Sequence, residues 1–319
     1  MMKKLLVVRN DKLGDLILIL PALQMLKSSI EDIEIDCLLD EKYTDIKLIT
    51  EYIDNTVLDS KGLVETLDQR NYDFSISFFS TFSISQKIWR SNIKKRYAPA
   101  TKLAQFFHNK KIKQRRSLSI KPEYEYNNDL ARYFLSDNSY KIINSNAPYL
   151  LIENDCINTG ERRDIVYIHP FTGGSSKTLS TDDFIELCQK LNKISNCRFV
   201  LHCDESDHKK CIELEKKASN LDIHTIKPTR DLVQMFSNIN KCDLFIAGST
   251  GPLHVAAALN KKTVGFYPSK TSSTLLRWDT INESKKKLSF GDTSDDKKYI
   301  KVNLDEVADL ISRNLLNET

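Results

Sequence analysis

The sequence predicts an α/β protein made of two doubly wound domains. Three observations carry that reading. Short apolar runs alternate with amphipathic segments through both halves of the chain, Gly-containing turns stand where an apolar run gives way to a helical pattern, and 319 residues are enough for two domains of ordinary size.

In the first half a strand is expected over residues 3–9. The apolar run there is short and ends in Asn10-Asp11-Lys12 rather than a cleavage site, so it reads as a strand and not as a signal peptide. A turn ending at Gly14 leads into a helix over about 15–28, in which Pro21 interrupts the hydrogen-bond ladder. A strand near 33–39, a helix near 43–50 and a strand over 73–79 follow, and a helix over about 126–135 closes the half. The Ser/Asn-rich stretch 136–146 is the expected connection, which gives domains 1–150 and 151–319. The second half repeats the pattern, with strands at 164–169, 198–202, 223–226, 243–247 and 263–267. Helices are expected at 181–193, 206–219 and 230–239, and one begins at Pro252. Residues 304–315 form an amphipathic last helix, with Val307, Leu310, Ile311 and Leu315 on one face, expected to pack back on the N-terminal domain. Two such domains place a ligand cleft between them, at the carboxyl ends of their strands.

Composition narrows the classes. A formal charge of +4 says little, but between Lys87 and Lys121 there are about a dozen Lys and Arg and no Asp or Glu, which favours an anionic partner or a solvated face. No nucleic-acid motif accompanies the charge, so nucleic acid is not the expected partner. Seven scattered cysteines, without CxxC spacing or a zinc-type cluster, suit a reducing, cytoplasmic setting and no metal site. No run reaches the roughly 20 apolar residues that span a bilayer, so any membrane contact would be peripheral.

Three loops carry the chemistry. The richest is Gly248-Ser249-Thr250-Gly251-Pro252, between an apolar strand and an Ala-rich helix. Its glycines admit a ligand close to the backbone, Ser249 and Thr250 offer hydroxyls, and Pro252 suits the first turn of a helix whose free N–H groups attract an anion. His254 is either a contact to that anion or a satisfied structural histidine. The loop from His169 to Thr178 also follows a strand. Gly173 and Gly174 can aim successive N–H groups at an anion, with Thr172, Ser175, Ser176 and the Lys177 ammonium as further donors. It lacks Walker spacing, and the chain has no GxGxxG, which disfavours a nicotinamide oxidoreductase. In the first loop Gly14 allows close approach, and Asp15 is either a helix cap or a carboxylate base exposed to the cleft. Asp11 is a nearby competitor.

With these loops in order, the sequence resembles glycosyltransferase family 9, the heptosyltransferases of the lipopolysaccharide inner core. The resemblance spans nearly the whole chain. It rests on Gly14-Asp15 with Pro21 downstream, on Pro170 to Lys177 followed by Leu179-Ser-Thr-Asp-Asp-Phe184, on Gly248-Ser-Thr-Gly-Pro-Leu-His254 followed by Ala256-Ala257, and on the closing segment Lys301 to Val307. It implies a GT-B fold, with two Rossmann-like domains facing a central cleft, the acceptor mainly on the first and the nucleotide sugar mainly on the second. It also implies inverting transfer from ADP-heptose; because fixed donors and an ammonium are available and the sequence shows no metal-ligand cluster, no cofactor or divalent cation is expected. By position Asp15 matches the catalytic base, Lys177 the phosphate-binding lysine, Thr250, Gly251 and His254 the diphosphate loop, and Glu205 an acidic residue that binds the nucleoside. One departure stands out: the family usually has Asp before Thr-Gly, and this chain has Ser249, which removes an acceptor-only anion from beside the sugar diphosphate.

The expected chemistry follows. Negative charge grows on the leaving diphosphate and is met by the third loop and Lys177, while Asp15 takes the proton of the acceptor hydroxyl. The basic residues Lys94, Lys95, Arg96, Lys110, Lys111, Arg115 and Arg116 fall in the acceptor domain, where an anionic lipid-linked saccharide or the inner leaflet would suit them. Phe106 and Phe107, between the basic clusters, are candidates for lipid contact or for the core. The rival readings are a transferase using another nucleotide sugar and a non-catalytic nucleotide-sugar-binding protein.

Overall fold

Each half of the chain folds around a six-stranded sheet in which every pairing is parallel. The structure, a computed structural model, describes residues 2–101, 103–152, 163–174, 176–294 and 296–316. Ser175 and Cys156 lie outside the described residues. The chain divides into two compact units, Met1–Arg116 with Lys121–Tyr149, and Leu150–Thr319 with Ser117–Ile120.

The first unit runs β1 (Lys3–Val8), α1 (Leu13–Ile17), α2 (Leu20–Ser29), β2 (Ile33–Leu39), β3 (Asn55–Leu58), α3 (Leu63–Arg70), β4 (Phe74–Ser77), α4 (Phe82–Arg90), β5 (Lys95–Pro99), β6 (Lys110–Ile112) and α5 (Glu123–Asp137). Its strand order is β3-β2-β1-β4-β5-β6. Leu5, Leu6, Val7 and Val8 are all fully buried, as a central parallel strand covered on both faces requires. Leu6 and Val8 pack with Leu63, Leu67, Ile84 and Ile88 of α3 and α4, and α2 packs on α5.

The single helix expected over 15–28 is two helices. The chain breaks at Leu18–Ile19, Pro21 falls in the first turn of α2, where its missing N–H costs nothing, and the Leu18 carbonyl freed by the break accepts a 3.0 Å bond from Asn127 Nδ2 of α5. The helix expected near 43–50 is a run of tight 3₁₀ turns, Glu41–Leu48. Strands β3, β5 and β6 were not expected; they are three to five residues long, and β5 and β6 lie inside the basic stretch, where polar residues mask the apolar pattern.

The second unit runs β7 (Asp164–His169), α6 (Thr181–Ile194), β8 (Cys197–Leu201), α7 (His208–Lys217), β9 (Ile223–Thr225), α8 (Leu232–Asn240), β10 (Leu244–Gly248), α9 (Gly251–Ala258), β11 (Lys262–Tyr267), β12 (Lys287–Gly291) and α10 (Leu304–Ile311). Its order, β12-β11-β10-β7-β8-β9, repeats that of the first unit read from the other edge. A full capping box starts α6: Ser180 Oγ accepts from the Asp183 N–H while Asp183 accepts from the Ser180 N–H. The closing helix packs on α6, and Val307, Ala308, Ile311, Leu315 and Leu316 belong to the core of this unit. The six described cysteines are all buried and free, and among the described residues no helix is long and apolar enough to cross a membrane.

Candidate functional site

In a sheet of this order the chain leaves in opposite directions after two adjacent strands, and the crevice beyond their carboxyl ends is where ligands bind. In the second unit those strands are β7 and β10. The loop after β7 carries Thr172 to Thr178, and the loop after β10 carries Ser249 and Thr250. The two meet: a Cβ added at Gly248 would lie 2.9 Å from Thr178 Oγ1 and 3.3 Å from Thr172 Cγ2. Gly248 is therefore required by close approach. Gly173 and Gly174 are required by conformation, with φ of +56° and +79° and open space beside them.

Three hydroxyls at this junction, Thr250 Oγ1, Thr178 Oγ1 and Ser176 Oγ, are out of contact with solvent and have no hydrogen-bond partner among the described residues. Thr250 stands at the N-cap of α9 without capping it, and Gly251 and Pro252 open the helix. Unspent donors at a helix N-terminus are what an anion needs. Thr172 instead donates to the Ser176 carbonyl at 2.6 Å, which shapes the loop. His254 is buried one turn into α9, its ring 6.4 Å from that of Trp278.

Lys177 is oriented rather than loose. Its Nζ donates to Asp292 Oδ2 at 2.9 Å and to the Asp296 carbonyl, which leaves one of three N–H bonds outside those two. The Asp292 side chain is fully buried. Burial would raise its carboxyl, but the Lys301 N–H, Lys177 and the Ser294 N–H together hold it below the ordinary carboxylate value. Asp292 follows β12, 115 residues from Lys177, and no local signal in the sequence marks it. Thr178 had a weak signal as the last residue of the predicted loop.

In the first unit the equivalent crevice lies beyond β1 and β4, and Arg9 spans it. Its guanidinium donates to the Phe78 carbonyl at 3.2 Å, pairs with Asp15, and sets Nε 2.9 Å from Asp11 Oδ1. Asp15 therefore does not cap its helix. The N-cap position of α1 is Lys12, and the Asp15 carboxylate is partly exposed in the first turn beside Gly14. Burial, with the Asp15 charge adding and Arg9 opposing, pushes the Asp11 carboxyl up to about 6. Arg9 was not among the expected site residues, although it ends the first predicted strand.

The remaining candidates separate into two groups. Lys95 donates to Asn138 Oδ1, Lys110 pairs with Asp137, Arg96 donates to the carbonyls of Phe107 and Ile93, and Arg116 pairs with Glu123, so these four are spent on the unit's own framework. Lys94, Lys111 and Arg115 are exposed. Glu205 is exposed after β8 and accepts two bonds from Arg230, at 2.7 and 2.5 Å. A shallow depression beyond β8 and β9 is lined by His202, Asp204, Lys227, Thr229, Met235 and Asn238. Among the described residues no group of three or more His, Cys, Asp or Glu could hold a metal ion.

Two Rossmann-like units, each built on a six-stranded parallel sheet, are the GT-B fold. The glycosyltransferase family 9 (heptosyltransferase) model matches residues 62–308, and the chain belongs to that family. A Haemophilus influenzae protein, provisionally named a glycosyltransferase, is 35% identical over 308 residues, 91% of this chain and 89% of its own. Among solved structures, E. coli heptosyltransferase WaaC with ADP superposes with a TM-score of 0.80 at 15% identity, covering 98% of this chain and 99% of that one. E. coli ADP-heptose LPS heptosyltransferase II gives 0.78 at 16% identity, covering 99% of both chains. The family 9 glycosyltransferase from Veillonella parvula gives 0.79 at 14%, covering 99% of this chain and 98% of that one. At these identities the three structures establish the fold.

Proposed function

We propose that the protein transfers a heptose from ADP-heptose, with inversion at the anomeric carbon, to an inner-core lipopolysaccharide or a related lipid-linked saccharide acceptor. The observation that carries the reading is the pair of unspent hydroxyls of Thr178 and Thr250 where two loops meet at Gly248 and α9 begins, with Ser176 and Lys177 on the same loop as Thr178, a cradle suited to a diphosphate. Family membership and the likeness to an E. coli heptosyltransferase with ADP and to an E. coli ADP-heptose LPS heptosyltransferase favour ADP-heptose as the donor.

The acceptor oxygen forms a bond to the anomeric carbon as the bond from that carbon to the diphosphate oxygen breaks. The hydroxyl proton passes to Asp15 and the nucleoside diphosphate leaves with the bonding pair. Charge grows on the diphosphate as this happens, so donors fixed before the reaction lower the barrier more than they tighten ground-state binding. Thr250, Thr178, the first N–H groups of α9 and the remaining Lys177 N–H fill that role, with Thr172, Gly173 and Gly174 shaping the loop around them. Arg9 fixes the Asp15 carboxylate. Asp15 has to come within hydrogen-bond reach of the acceptor hydroxyl when the donor is bound. The nucleoside lies over the depression near Glu205. The acceptor's anionic groups meet Lys94, Lys111 and Arg115.

The test is incubation with a panel of nucleotide sugars and truncated core acceptors, read by mass shift, with and without EDTA. A heptose-sized increase from ADP-heptose that survives EDTA is expected; no shift with any donor would defeat the transferase reading. Ser249 in place of the family's aspartate favours a second reading, the same chemistry with another nucleotide sugar. A larger shift from another donor in the same panel would decide for it, and donor binding without turnover would mark a non-catalytic binder.

A further inference from the structure

The first unit carries a surface whose composition is unusual and which shares Lys94, Lys111 and Arg115 with the proposed acceptor site. Leu103, Phe106, Phe82 and Trp89 are 68%, 74%, 54% and 53% exposed, far more than isolated aromatic residues normally are. They form one patch. Phe82 and Trp89 stand two turns apart on the same side of α4, and both rings meet Phe107, at 5.0 and 5.9 Å between centroids. Phe107 ends a 3₁₀ turn, Leu103–Phe107, in which Leu103 and Phe106 at i and i+3 project together.

The patch is held out rigidly. His108 Nε2 lies 3.1 Å from Ser85 Oγ of α4, both buried, and Arg96 Nε donates to the Phe107 carbonyl at 2.9 Å. Ala104 is buried under the turn, so the turn is anchored by its small residue and presents its large ones. Arg90, Lys94, Lys111, Lys113 and Arg115 are exposed in the same stretch of chain, which has no Asp or Glu; Arg90 follows Trp89 on α4, and Lys111 lies near enough to His108 to act on its charge. Lys94 is tied to the same turn, its carbonyl accepting from Asn109 Nδ2 at 2.7 Å.

Exposed aromatic and aliphatic side chains within a basic, acid-free stretch match one surface chemistry: an anionic bilayer, whose headgroups take the charges while the rings enter the boundary with the acyl chains. We infer that this face, formed by α4 and the 103–107 turn, docks the protein on an anionic lipid surface. The transferase reading supplies only the purpose, bringing the enzyme to an acceptor that carries lipid. Docking itself needs neither donor nor acceptor.

The experiment is sedimentation of the full-length protein with vesicles of phosphatidylglycerol and phosphatidylcholine against phosphatidylcholine alone. Binding about tenfold tighter to the anionic vesicles, weakened by salt, is expected. Phe106→Ser combined with Leu103→Ser should lower it about tenfold, and Arg90→Glu with Lys113→Glu should lower it through charge alone, which separates the effect from any misfolding of the apolar variant. With Trp278→Phe as background, Trp89 emission should shift to the blue on anionic vesicles. Equal binding to both vesicle types, no binding, or unchanged binding in both variants would overturn the inference. So would a dimer in solution that the Phe106→Ser, Leu103→Ser variant converts to a monomer, because the patch would then be a protein interface. Transfer to a lipid-free acceptor is scored separately, so a failure of docking and a failure of the transferase reading are told apart.

Discussion

Arg9 holds two carboxylates that the sequence alone could not rank. Asp15 is partly exposed and Asp11 is the more buried, pushed up to about 6. Protonating Asp11 leaves Arg9 paired to Asp15 alone, so the pH profile of kcat/KM should show an acid limb near 6, where Asp11 titrates. Asp11→Asn should move or abolish that limb, and a profile identical to wild type would remove Asp11 from the account. Stability has the opposite dependence. A carboxyl raised in the fold favours its neutral form, so the stability it contributes below about pH 4 is lost as pH rises through 6, and Asp11→Asn should stabilise the protein at pH 7 by on the order of 1 kcal/mol in urea unfolding. Asp15→Ala should lower transfer by about a hundredfold or more in protein that still folds. In the second unit, Lys177→Ala should cost on the order of a hundredfold in kcat, as loss of an oriented phosphate donor does. Asp292→Asn, which frees the ammonium without removing it, should cost less and raise the donor KM.

At the scale of elements, the close approach of two loops sets the cradle. Gly248→Ala puts a methyl 2.9 and 3.0 Å from the Thr178 Oγ1 and Cβ atoms, too near for either loop to keep its place. The expected cost is about 1–3 kcal/mol of stability, with weaker donor binding measured by calorimetry; an unchanged dissociation constant would show that the loops need not touch. Gly173→Ala acts differently, because there is room for the methyl and the strain lies in a φ of +56°. The break between α1 and α2 works in the same local way. It frees the Leu18 carbonyl, Asn127 fills it, and the break leaves Asp15 on a helix of five residues at the end of β1.

For the molecule as a whole, acid is the expected weakness. Of its four buried histidines, three are held toward the neutral form, chiefly by burial: His108 pushed down to about 4, with Arg96 and Lys111 adding, His202 to about 3, with His169 adding, and His169 downward despite nearby acids. The unfolded chain takes up these protons near pH 6.5, so stability present at neutral pH is lost as pH falls from 6.5 toward the folded values. At pH 5 His108 and His202 each cost about 2 kcal/mol. The thermal midpoint should fall between pH 7 and 5, and His108→Asn should reduce that fall; a flat midpoint over the interval would contradict the burial argument.

The strands of both sheets that are covered on two faces, β1, β7 and β10, were readable as apolar runs, because burial on both faces leaves no room for polar residues. So were the glycine loops, since close approach and positive φ restrict residue type. Strands β5 and β6 were hidden in a basic stretch, because both are short and β6, at the sheet edge, needs few apolar side chains. By itself the sequence determined the alternation that makes parallel sheets, the loops at their switch points and the family. Only the tertiary structure decided which charges were spent: Lys177 on Asp292, Lys110 on Asp137, Glu205 on Arg230, and Arg9 between two aspartates. The reason is physical. Residue type and spacing fix what a backbone can do locally, whereas the partner of a charged side chain is set by folding that brings distant segments within hydrogen-bond reach.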